Sequence, residues 1–279
     1  QPIGLVRVFT QSVDVTSDLS LKFGCQVNEA AGLIVRARNQ GLRIEGLAFH
    51  VGTQSYSSAN YVRALNDCRQ IQENLFAAGA APVRIIDIGG GFPCDTLGGR
   101  GVTGLHSLLA VIGSSMKHPG FAGTQFWCEP GRALAGPSST LVVRVLGRRD
   151  TESARLLYLD DGVYGGLSAA INDHAKFRYL PLEAEGSWVP FTLFGPTCDS
   201  FDRLAEGVLL PSSMSEGDVL VIPDVGAYSR VTAARFNGFP IPARFVSRPG
   251  RRKSLTKRKG LEGGPLPGAK ILGIVPADG

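Results

Sequence analysis

The chain has 279 residues, 43% of them hydrophobic, which fits one large or two smaller globular domains. No apolar run reaches the roughly 18–20 residues of a membrane-spanning helix, which argues against a membrane protein. The net charge of +5 lies at the end of the chain: from Arg244 there are nine Lys or Arg and two acidic residues, whereas the preceding body has 20 basic and 22 acidic ones.

The basic run over 251–259 is typical of a solvated segment that binds nucleic acid or anionic lipid, or of a tail without structure. No aromatic residues interleave its charges, and the body of the chain is mildly acidic. We therefore expect neither nucleic-acid nor membrane binding, and we predict a basic, disordered tail over 247–279.

Short β-rich runs alternate with helical patterns over the first 135 residues. Strands are predicted at 5–9, 44–50, 84–88 and 125–128, and helices at 28–40, 58–78 and 104–116. Asn28 is the predicted N-cap of the first helix, and Gly41 and Gly79 are predicted helix stops. This alternation indicates a parallel α/β sheet with ligand sites at the carboxyl ends of its strands. About four strand–helix units are present, too few to close an eight-stranded barrel from this chain alone.

After Pro137 the pattern changes to short strands without long helices, which predicts a mostly antiparallel second domain. Strands are predicted at 139–146, 155–159, 191–194 and 218–222, with a last one near 243–246, and turns at 181–190 and 210–215. The predicted domains are therefore 1–135, 136–246 and the tail 247–279.

Polar and glycine residues follow the strands of the first domain. Gly89, Gly90 and Gly91 let backbone N–H groups approach an anion such as phosphate, although glycine runs also form plain turns. Glu129 and Arg132 suit the two ends of an anionic aromatic cofactor, or else form a surface ion pair. His50 suits stacking on a flat cofactor with Thr53 offering its hydroxyl and backbone N–H to phosphate, although a lone histidine is commonly a satisfied core residue.

Loops of the second domain combine acidic residues with Cys and Tyr. Such loops suit the recognition of a cationic amine, with a thiol able to donate a proton. Taken singly, each is also an ordinary turn or core signal. They contain Asp160–Asp161, Asp173–His174, Cys198–Asp199 and Tyr228.

Eight motifs in order closely resemble the fold-type III, alanine-racemase-like decarboxylases that act on ornithine, lysine and diaminopimelate. The resemblance runs from about Leu5 to about Pro242. The motifs are HVGTQ (50–54), DIGGGFP (87–93), EPGR (129–132), DGVYGG (161–166), DHA (173–175), GPTCDSFD (195–202), GAY (226–228) and FNGF (236–239).

This resemblance implies a pyridoxal 5'-phosphate enzyme built from part of a TIM-like (β/α) barrel and a mostly antiparallel β-sandwich domain. His50 would stack on the cofactor ring and Glu129 would pair with its pyridine nitrogen, making the ring a better electron sink. Residues that would bind the cofactor, chiefly its phosphate, are Arg7, Thr53, Gly89, Gly90, Gly91, Gly131, Arg132 and Tyr228.

The resemblance also implies substrate and assembly. Cys198 would supply a proton, and Asp173 and Asp199 would bind the distal ammonium of a basic amino acid. Asp199 after Cys198 favours ornithine, converted to putrescine in polyamine biosynthesis, over diaminopimelate, and lysine or arginine stay open. The loop with Cys198 would serve the neighbouring subunit's site, which implies a homodimer.

The chain departs from the family at the Schiff-base lysine, which the family carries at the end of its first barrel strand. Lys22, Lys117 and Lys176 do not match that position, so we expect an N-terminally truncated, inactive chain. The alternative is a non-catalytic homologue that, like the antizyme inhibitors, binds a regulator of polyamine metabolism. The five scattered cysteines argue for the cytoplasm and against a metal site.

Overall fold

The computed structural model describes residues 2–20, 22–94, 102–183, 185–247 and 270–274. These residues form two compact units that divide at 133/134 in the chain, called here the first and second unit. The functional assignment of the segments 1–135, 136–246 and 247–279 stays a prediction.

The first unit contains a four-stranded parallel sheet in the order β1-β2-β3-β4. One helix follows each of the first three strands, so the predicted alternation is confirmed. The strands are β1 Gly4–Arg7, β2 Ile44–Ala48, β3 Ile85–Asp87 and β4 Gln125–Trp127, and the helices are α1 Val27–Asn39, α2 Ser58–Ala77 and α3 Val102–Met116. Within the described residues this sheet stays open, with β1 and β4 at its edges.

The start of α1 differs from the prediction. The helix begins at Val27, and the residue before it, Gln26, donates its backbone N–H to Glu29 Oε2 at 3.3 Å. Asn28 therefore lies inside the first turn and is not the cap. The predicted stop is confirmed: Gly41 has φ of +82°, a conformation that glycine adopts without a steric penalty.

The core of the first unit lies between the sheet and its helices. It combines strand residues such as Leu47 and Ile86 with the inner faces of α1 and α2, including Ile34, Leu65 and Ile71, all fully buried. Each such side chain contributes about 1.5–3 kcal/mol of hydrophobic free energy. This packing fixes the ends of the parallel strands, where the polar motifs begin.

The second unit is built on a single mixed sheet of eight strands in the order β11-β12-β5-β6-β8-β9, with β10 pairing β5 and β7. Most of its described strand pairs are antiparallel, but β6–β8 and β11–β12 are parallel. The strands are β5 Ser139–Asp150, β6 Arg155–Leu159, β7 Leu180–Pro181, β8 Trp188–Phe194, β9 Arg203–Pro211, β10 Val219–Ile222, β11 Ala243–Ser247 and β12 Lys270–Ile274. The short helix α5 is Ala169–Asn172, and the short helix α4, Arg132–Ala135, spans the division between the two units.

The twelve-residue strand β5 joins all parts of this sheet. Its first half pairs with β10 and β12, and its second half pairs with β6 after a register shift between Val145 and Gly147. Leu141, Val143 and Val145 alternate along it and are buried in the core of the second unit. β5 is therefore longer than the predicted strand 139–146, and its extra length joins the two parts of the sheet into one.

Strand β9 was not predicted, and the turns predicted at 181–190 and 210–215 overlap with strands. In β9, Gly207 has φ of +68°, and the pairing with β8 shifts between Phe191 and Leu193, which is the signature of a β-bulge. A bulge interrupts the period of two, so the pattern was missed. Pro190 lies inside β8, opposite Leu209.

Part of the predicted tail is ordered backbone. Residues Lys270–Ile274 form β12, parallel to β11 and antiparallel to β5, where a tail without structure was predicted. The apolar run Ile271–Leu272 supplies the β-forming residues that the basic composition obscured. The basic run 251–259 lies outside the described residues.

Candidate active site

Three of the sequence motifs meet at the carboxyl edge of the parallel sheet. His50 follows β2, the glycine loop (residues 89–91) follows β3, and Glu129 follows β4. Glu129 donates its N–H to the Gly89 carbonyl at 2.8 Å. A Cβ added to Gly90 would lie 2.8 Å from the Glu129 carbonyl and 3.0 Å from His50 Nε2. The sheet thus brings together an aromatic base, a glycine loop and a carboxylate.

The His50 ring is held in one tautomer. Its Nδ1 accepts a hydrogen bond from the Gly52 N–H at 3.0 Å, so the ring proton of the neutral form is on Nε2. Burial, and to a smaller extent the Arg7 charge, lower the pKa of His50. The imidazole is therefore neutral at pH 7, a flat ring that can stack on another ring without adding charge.

The glycine loop has a shape that only glycine permits at two of its positions. Gly89 and Gly91 have φ of +65° and +90°. A Cβ at Gly89 would lie 2.0 Å from the Phe49 carbonyl, and one at Gly91 would lie 2.2 Å from the Gly52 carbonyl. The Tyr61 hydroxyl, in the core, donates to the Gly90 carbonyl at 3.0 Å. The loop is thus anchored to the unit's interior.

Thr53 has one hydrogen-bond donor available to an anion, where the sequence suggested two. Its backbone N–H donates to the Ser17 carbonyl at 2.9 Å, and its carbonyl accepts from Thr16. The backbone donor is therefore used within the fold. The hydroxyl is the group through which Thr53 could bind a ligand.

The remaining candidates of the first unit differ in exposure. Arg132, the first residue of α4, is only 5% exposed, whereas Glu129 and Gly131 are exposed. A guanidinium buried this far needs an anion or several acceptors around it. Arg7 places its guanidinium 5.1 Å from the centre of the Phe23 ring. Phe23 was not predicted to take part, because a single exposed aromatic residue gives no periodic signal.

Two buried carboxylates organise the loops of the second unit. Asp202 accepts from the Val163 N–H at 2.9 Å, and from the Thr197 N–H at 3.0 Å and its hydroxyl at 2.8 Å. Asp202 therefore joins the loop 161–166 to the cysteine loop (residues 195–202). Asp161 accepts from the N–H groups of Gly162 and Gly166 within its own loop.

Cys198 and Asp199 lie at the exposed tip of the cysteine loop. The Cys198 thiol donates to Asn237 Oδ1 at 3.5 Å, and the Tyr164 hydroxyl donates to Asp199 Oδ2. The Tyr164 hydroxyl, followed by the Phe201 N–H, holds the pKa of Asp199 below its usual value. Asp199 is therefore an anion at neutral pH, as an ammonium-binding residue must be.

Asp173 and Tyr228 lie in the same unit as the cysteine loop. Asp173 is half-buried directly after α5, with its N–H donating to Ala169. Tyr228 has φ of +51°, and its carbonyl accepts from the Ser168 hydroxyl at 3.0 Å. Beside α5 is a cavity of about 320 Å³, lined among others by Tyr164, Ser168, Ile171, Asn172 and Phe201.

The two units thus divide the predicted site residues between them. The first unit carries Arg7, His50, Thr53, Gly89, Gly90, Gly91, Glu129, Gly131 and Arg132, and the second carries Asp173, Cys198, Asp199 and Tyr228. Sequence reasoning did not select Asp202, Tyr164 or Asn237, although all three lie within quoted motifs. An acid that accepts several backbone N–H groups has no sequence signature of its own.

Two other kinds of functional element are absent from the described parts of the chain. No group of three or more His, Cys, Asp or Glu side chains there is arranged to hold a metal ion. No described helix is both long and apolar enough to cross a membrane. All five cysteines are free thiols.

We expect the stability of the second unit to depend on Asp161 ionisation. Burial, opposed by the Gly166 and Gly162 N–H donors, raises the pKa of Asp161 from 3.8 to about 7. Folding therefore favours the protonated form, so its contribution is complete below about pH 4 and is lost as the pH rises to 7. From pH 5 to 7, the free energy of unfolding of the wild type should fall by about 2 kcal/mol relative to Asp161→Asn. Urea titrations at both pH values test this, and a difference independent of pH would contradict it.

Comparison with known proteins places the whole arrangement in a family. The family described as "Pyridoxal-dependent decarboxylase, C-terminal sheet domain" matches residues 17–226. The chain is 35% identical over 235 residues to the lysine/ornithine decarboxylase of Selenomonas ruminantium, covering 84% of this chain and 58% of that relative.

Solved structures agree. The lysine/ornithine decarboxylase of Vibrio vulnificus complexed with cadaverine superposes with a TM-score of 0.74 at 35% identity, over 85% of this chain and 62% of that one. The arginine decarboxylase of Paramecium bursaria Chlorella virus bound to agmatine superposes with a TM-score of 0.74 at 28% identity, over 84% and 64%. The chain thus spans less than two thirds of each of these relatives. The motif resemblance is confirmed, and the chain belongs to the pyridoxal-dependent amino acid decarboxylase family.

Proposed function

We propose that the protein catalyses the pyridoxal 5'-phosphate-dependent decarboxylation of a basic amino acid, with ornithine the favoured substrate and putrescine the product. The observation that carries this proposal is the edge of the parallel sheet, where the glycine loop lies against both His50 and Glu129. In this proposal the first unit is part of a TIM-like (β/α) barrel and the second a β-sandwich domain.

The residues of the first unit fit this cofactor. The neutral His50 ring suits stacking on a pyridine ring, and the exposed Glu129 carboxylate suits a protonated ring nitrogen. The glycine loop, the Thr53 hydroxyl and the buried Arg132 suit a phosphate, with Arg7 and Gly131 as further contacts. Tyr228, a residue of the second unit, is also proposed as a phosphate ligand. These residues thus provide a positive charge for the phosphate and a flat neutral ring for stacking on the pyridine ring of the cofactor.

When bound, pyridoxal phosphate supplies an electron sink for the electron pair left at the substrate carbon as CO₂ departs. Glu129 keeps a proton on the ring nitrogen, and Arg132 balances the phosphate charge. Cys198 holds a proton on its sulfur that it can give to the substrate carbon. Glu129 and Arg132 act in these roles through their charges, and Cys198 acts through the proton on its sulfur.

Two acidic residues of the second unit support the proposal that the substrate is a basic amino acid. Asp199 is ionised, with one carboxylate oxygen accepting from Tyr164, and Asp173 follows α5 near the 320 Å³ cavity. An alkyl ammonium group is recognised by such carboxylates where water is excluded. The two carboxylates therefore favour a substrate with a distal cationic group over diaminopimelate, and ornithine is the substrate proposed, with lysine and arginine as alternatives.

We also propose a homodimer that shares its active sites. Around the cysteine loop and the Tyr228 segment, Phe201 and Val231 are 72% and 84% exposed. Large exposed apolar side chains beside functional residues are typical of an interface. Sedimentation of the gene product should give twice the monomer mass, and a monomer that turns over substrate would contradict this.

The cytoplasm is the proposed location.

The chain as given is expected to be inactive by itself. The residues directly after the four strands of the parallel sheet are Val8, Phe49, Ile88 and Cys128, and none of them is a lysine. Among the lysines before the tail, Lys22 places its ammonium over the Phe23 ring, and Lys117 and Lys176 lie after α3 and in the second unit. None of the three is the last residue of a strand of the parallel sheet or the residue directly after one, the position from which the family's lysine reaches the cofactor aldehyde.

Borohydride trapping tests this directly. The 279-residue chain is incubated with pyridoxal phosphate, reduced, and its peptides are mapped. We expect no stoichiometrically labelled lysine and no CO₂ release from carboxyl-labelled ornithine. Stoichiometric labelling with CO₂ release would show the chain to be active by itself.

The product of the full reading frame tests the proposed reaction. If a cofactor-binding lysine is encoded upstream, we expect that product to decarboxylate ornithine in preference to lysine, arginine and diaminopimelate. A complete product without such a lysine, binding a regulatory protein and releasing no CO₂, would instead support the antizyme-inhibitor-like alternative.

A further inference from the structure

The segment Phe236–Asn237 contacts Cys198, at the tip of the cysteine loop, and the side chain of Tyr164. The Phe236 ring stacks on Tyr164 with centroids 4.2 Å apart and an interplanar angle of 26°, and the Tyr164 hydroxyl donates to Asp199. The next residue, Asn237, accepts a hydrogen bond from the Cys198 thiol. One short segment therefore supports Asp199 through Tyr164 and contacts Cys198 directly.

The backbone of Asn237 suits this contact. Its φ of +52° lies in the left-handed region, which asparagine tolerates better than most residues other than glycine. Gly238 follows with φ of +78°. Two consecutive residues in this region turn the chain sharply and present the Asn237 amide to the cysteine loop.

We propose that Asn237 is a positioning residue that keeps the Cys198 sulfur protonated and fixes the direction of its S–H bond. This inference rests on the proposed function, in which Cys198 supplies the proton to the substrate carbon. A thiol serves as a proton donor only while it carries its hydrogen. An acceptor on the S–H group stabilises that neutral form over the thiolate. The amide oxygen of Asn237, 3.5 Å from the sulfur, is such an acceptor.

No other described polar group of the surrounding loops hydrogen-bonds to the Cys198 sulfur. Asp199 is its neighbour in sequence, and Asp202 lies in the same loop. Tyr164 faces the pair from the loop 161–166 with its hydroxyl on Asp199. Negative charges disfavour a thiolate, but they lack a fixed direction relative to the sulfur. Only the Asn237 hydrogen bond orients the proton within this group of described residues.

The rate of Cys198 alkylation tests the proposal without cofactor, substrate or turnover. The 279-residue chain and two variants, Asn237→Gly and Asn237→Asp, are treated with iodoacetamide at pH 7, and each cysteine is followed by peptide mass spectrometry. Glycine tolerates the positive φ and removes the acceptor, so Cys198 should react about threefold faster, the effect of one weak hydrogen bond. Aspartate keeps an acceptor and adds a negative charge, so Cys198 should react more slowly than in the wild type.

Cys128, exposed in the first unit, is the reference in the same sample. Loosening of the second unit would speed Cys198 alkylation in both variants, so opposite changes in the two support the proposal. An unchanged rate in Asn237→Gly, or faster reaction in both variants, would overturn it. Because the readout needs no catalysis, failure of the proposed decarboxylation leaves this result standing, and failure here leaves the decarboxylation untouched.

Discussion

Replacing Asp202 with alanine is expected to lower the free energy of unfolding of the second unit by about 4–5 kcal/mol. The carboxylate is 1% exposed and accepts from the Val163 N–H and from both the N–H and the hydroxyl of Thr197. Alanine removes the only acceptor that these three donors share. A buried donor left unsatisfied costs about 1–3 kcal/mol, which applies in full to the buried Val163 N–H, and the two donors of the half-buried Thr197 add to this loss.

The loop geometry makes the Asp202 effect difficult to repair. A Cβ on Gly162 or Gly195 would lie 2.1 Å from Asp202 Oδ1, which shows how closely both loops enclose the carboxylate. No larger side chain fits this space, and alanine leaves a cavity next to unsatisfied donors. The cysteine loop, with Cys198 at its tip, should then lose its fixed connection to the loop 161–166.

Urea denaturation measures the Asp202 effect. In a Trp127→Phe background the fluorescence comes from Trp188, in β8 of the second unit. Asp150→Ala is the matched control, because Asp150 forms its ion pair with Arg148 at the surface, where such pairs contribute little. A similar loss of stability in both variants would show that the buried hydrogen bonds of Asp202 are not the cause.

Replacing Gly89 with alanine is expected to cost at least about 4 kcal/mol, whereas Gly79→Ala should cost about 1 kcal/mol. The two glycines have nearly the same φ, +65° at Gly89 and +66° at Gly79. They differ in surroundings: a Cβ at Gly89 would lie 2.0 Å from the Phe49 carbonyl, and one at Gly79 would have no heavy atom within 4 Å. Comparing the two variants therefore separates the free-energy cost of placing alanine at a positive φ from the cost of the steric contact with Phe49.

The close contact at Gly89 involves two backbones, so a change of side-chain rotamer cannot relieve it. The glycine loop would have to move away from β2 and break the hydrogen bond from Glu129 to Gly89. Urea denaturation followed by Trp127 fluorescence in a Trp188→Phe background reports on the first unit, since Trp127 ends β4. Equal losses in the two variants would contradict the steric argument.

How well the sequence predicted structure differs between the units. In the first unit the four strands and the helices α1, α2 and α3 were predicted to within a few residues, because the helical period and the glycine stops are local properties. In the second unit β9 was missed, because the bulge at Gly207 breaks its alternation and the strand is defined by its partner β8. Pro190 was expected in a turn but lies inside a strand.

For the site, the sequence determined by itself which residue types stand after which strand, and the ordered motifs determined the family. Local spacing and residue chemistry are sufficient for both. Only the tertiary structure decided that the Thr53 N–H is used by Ser17, that His50 carries its proton on Nε2, and that Asp202 joins two loops. These properties depend on hydrogen bonds and burial among residues that are distant in sequence, and no local pattern encodes them.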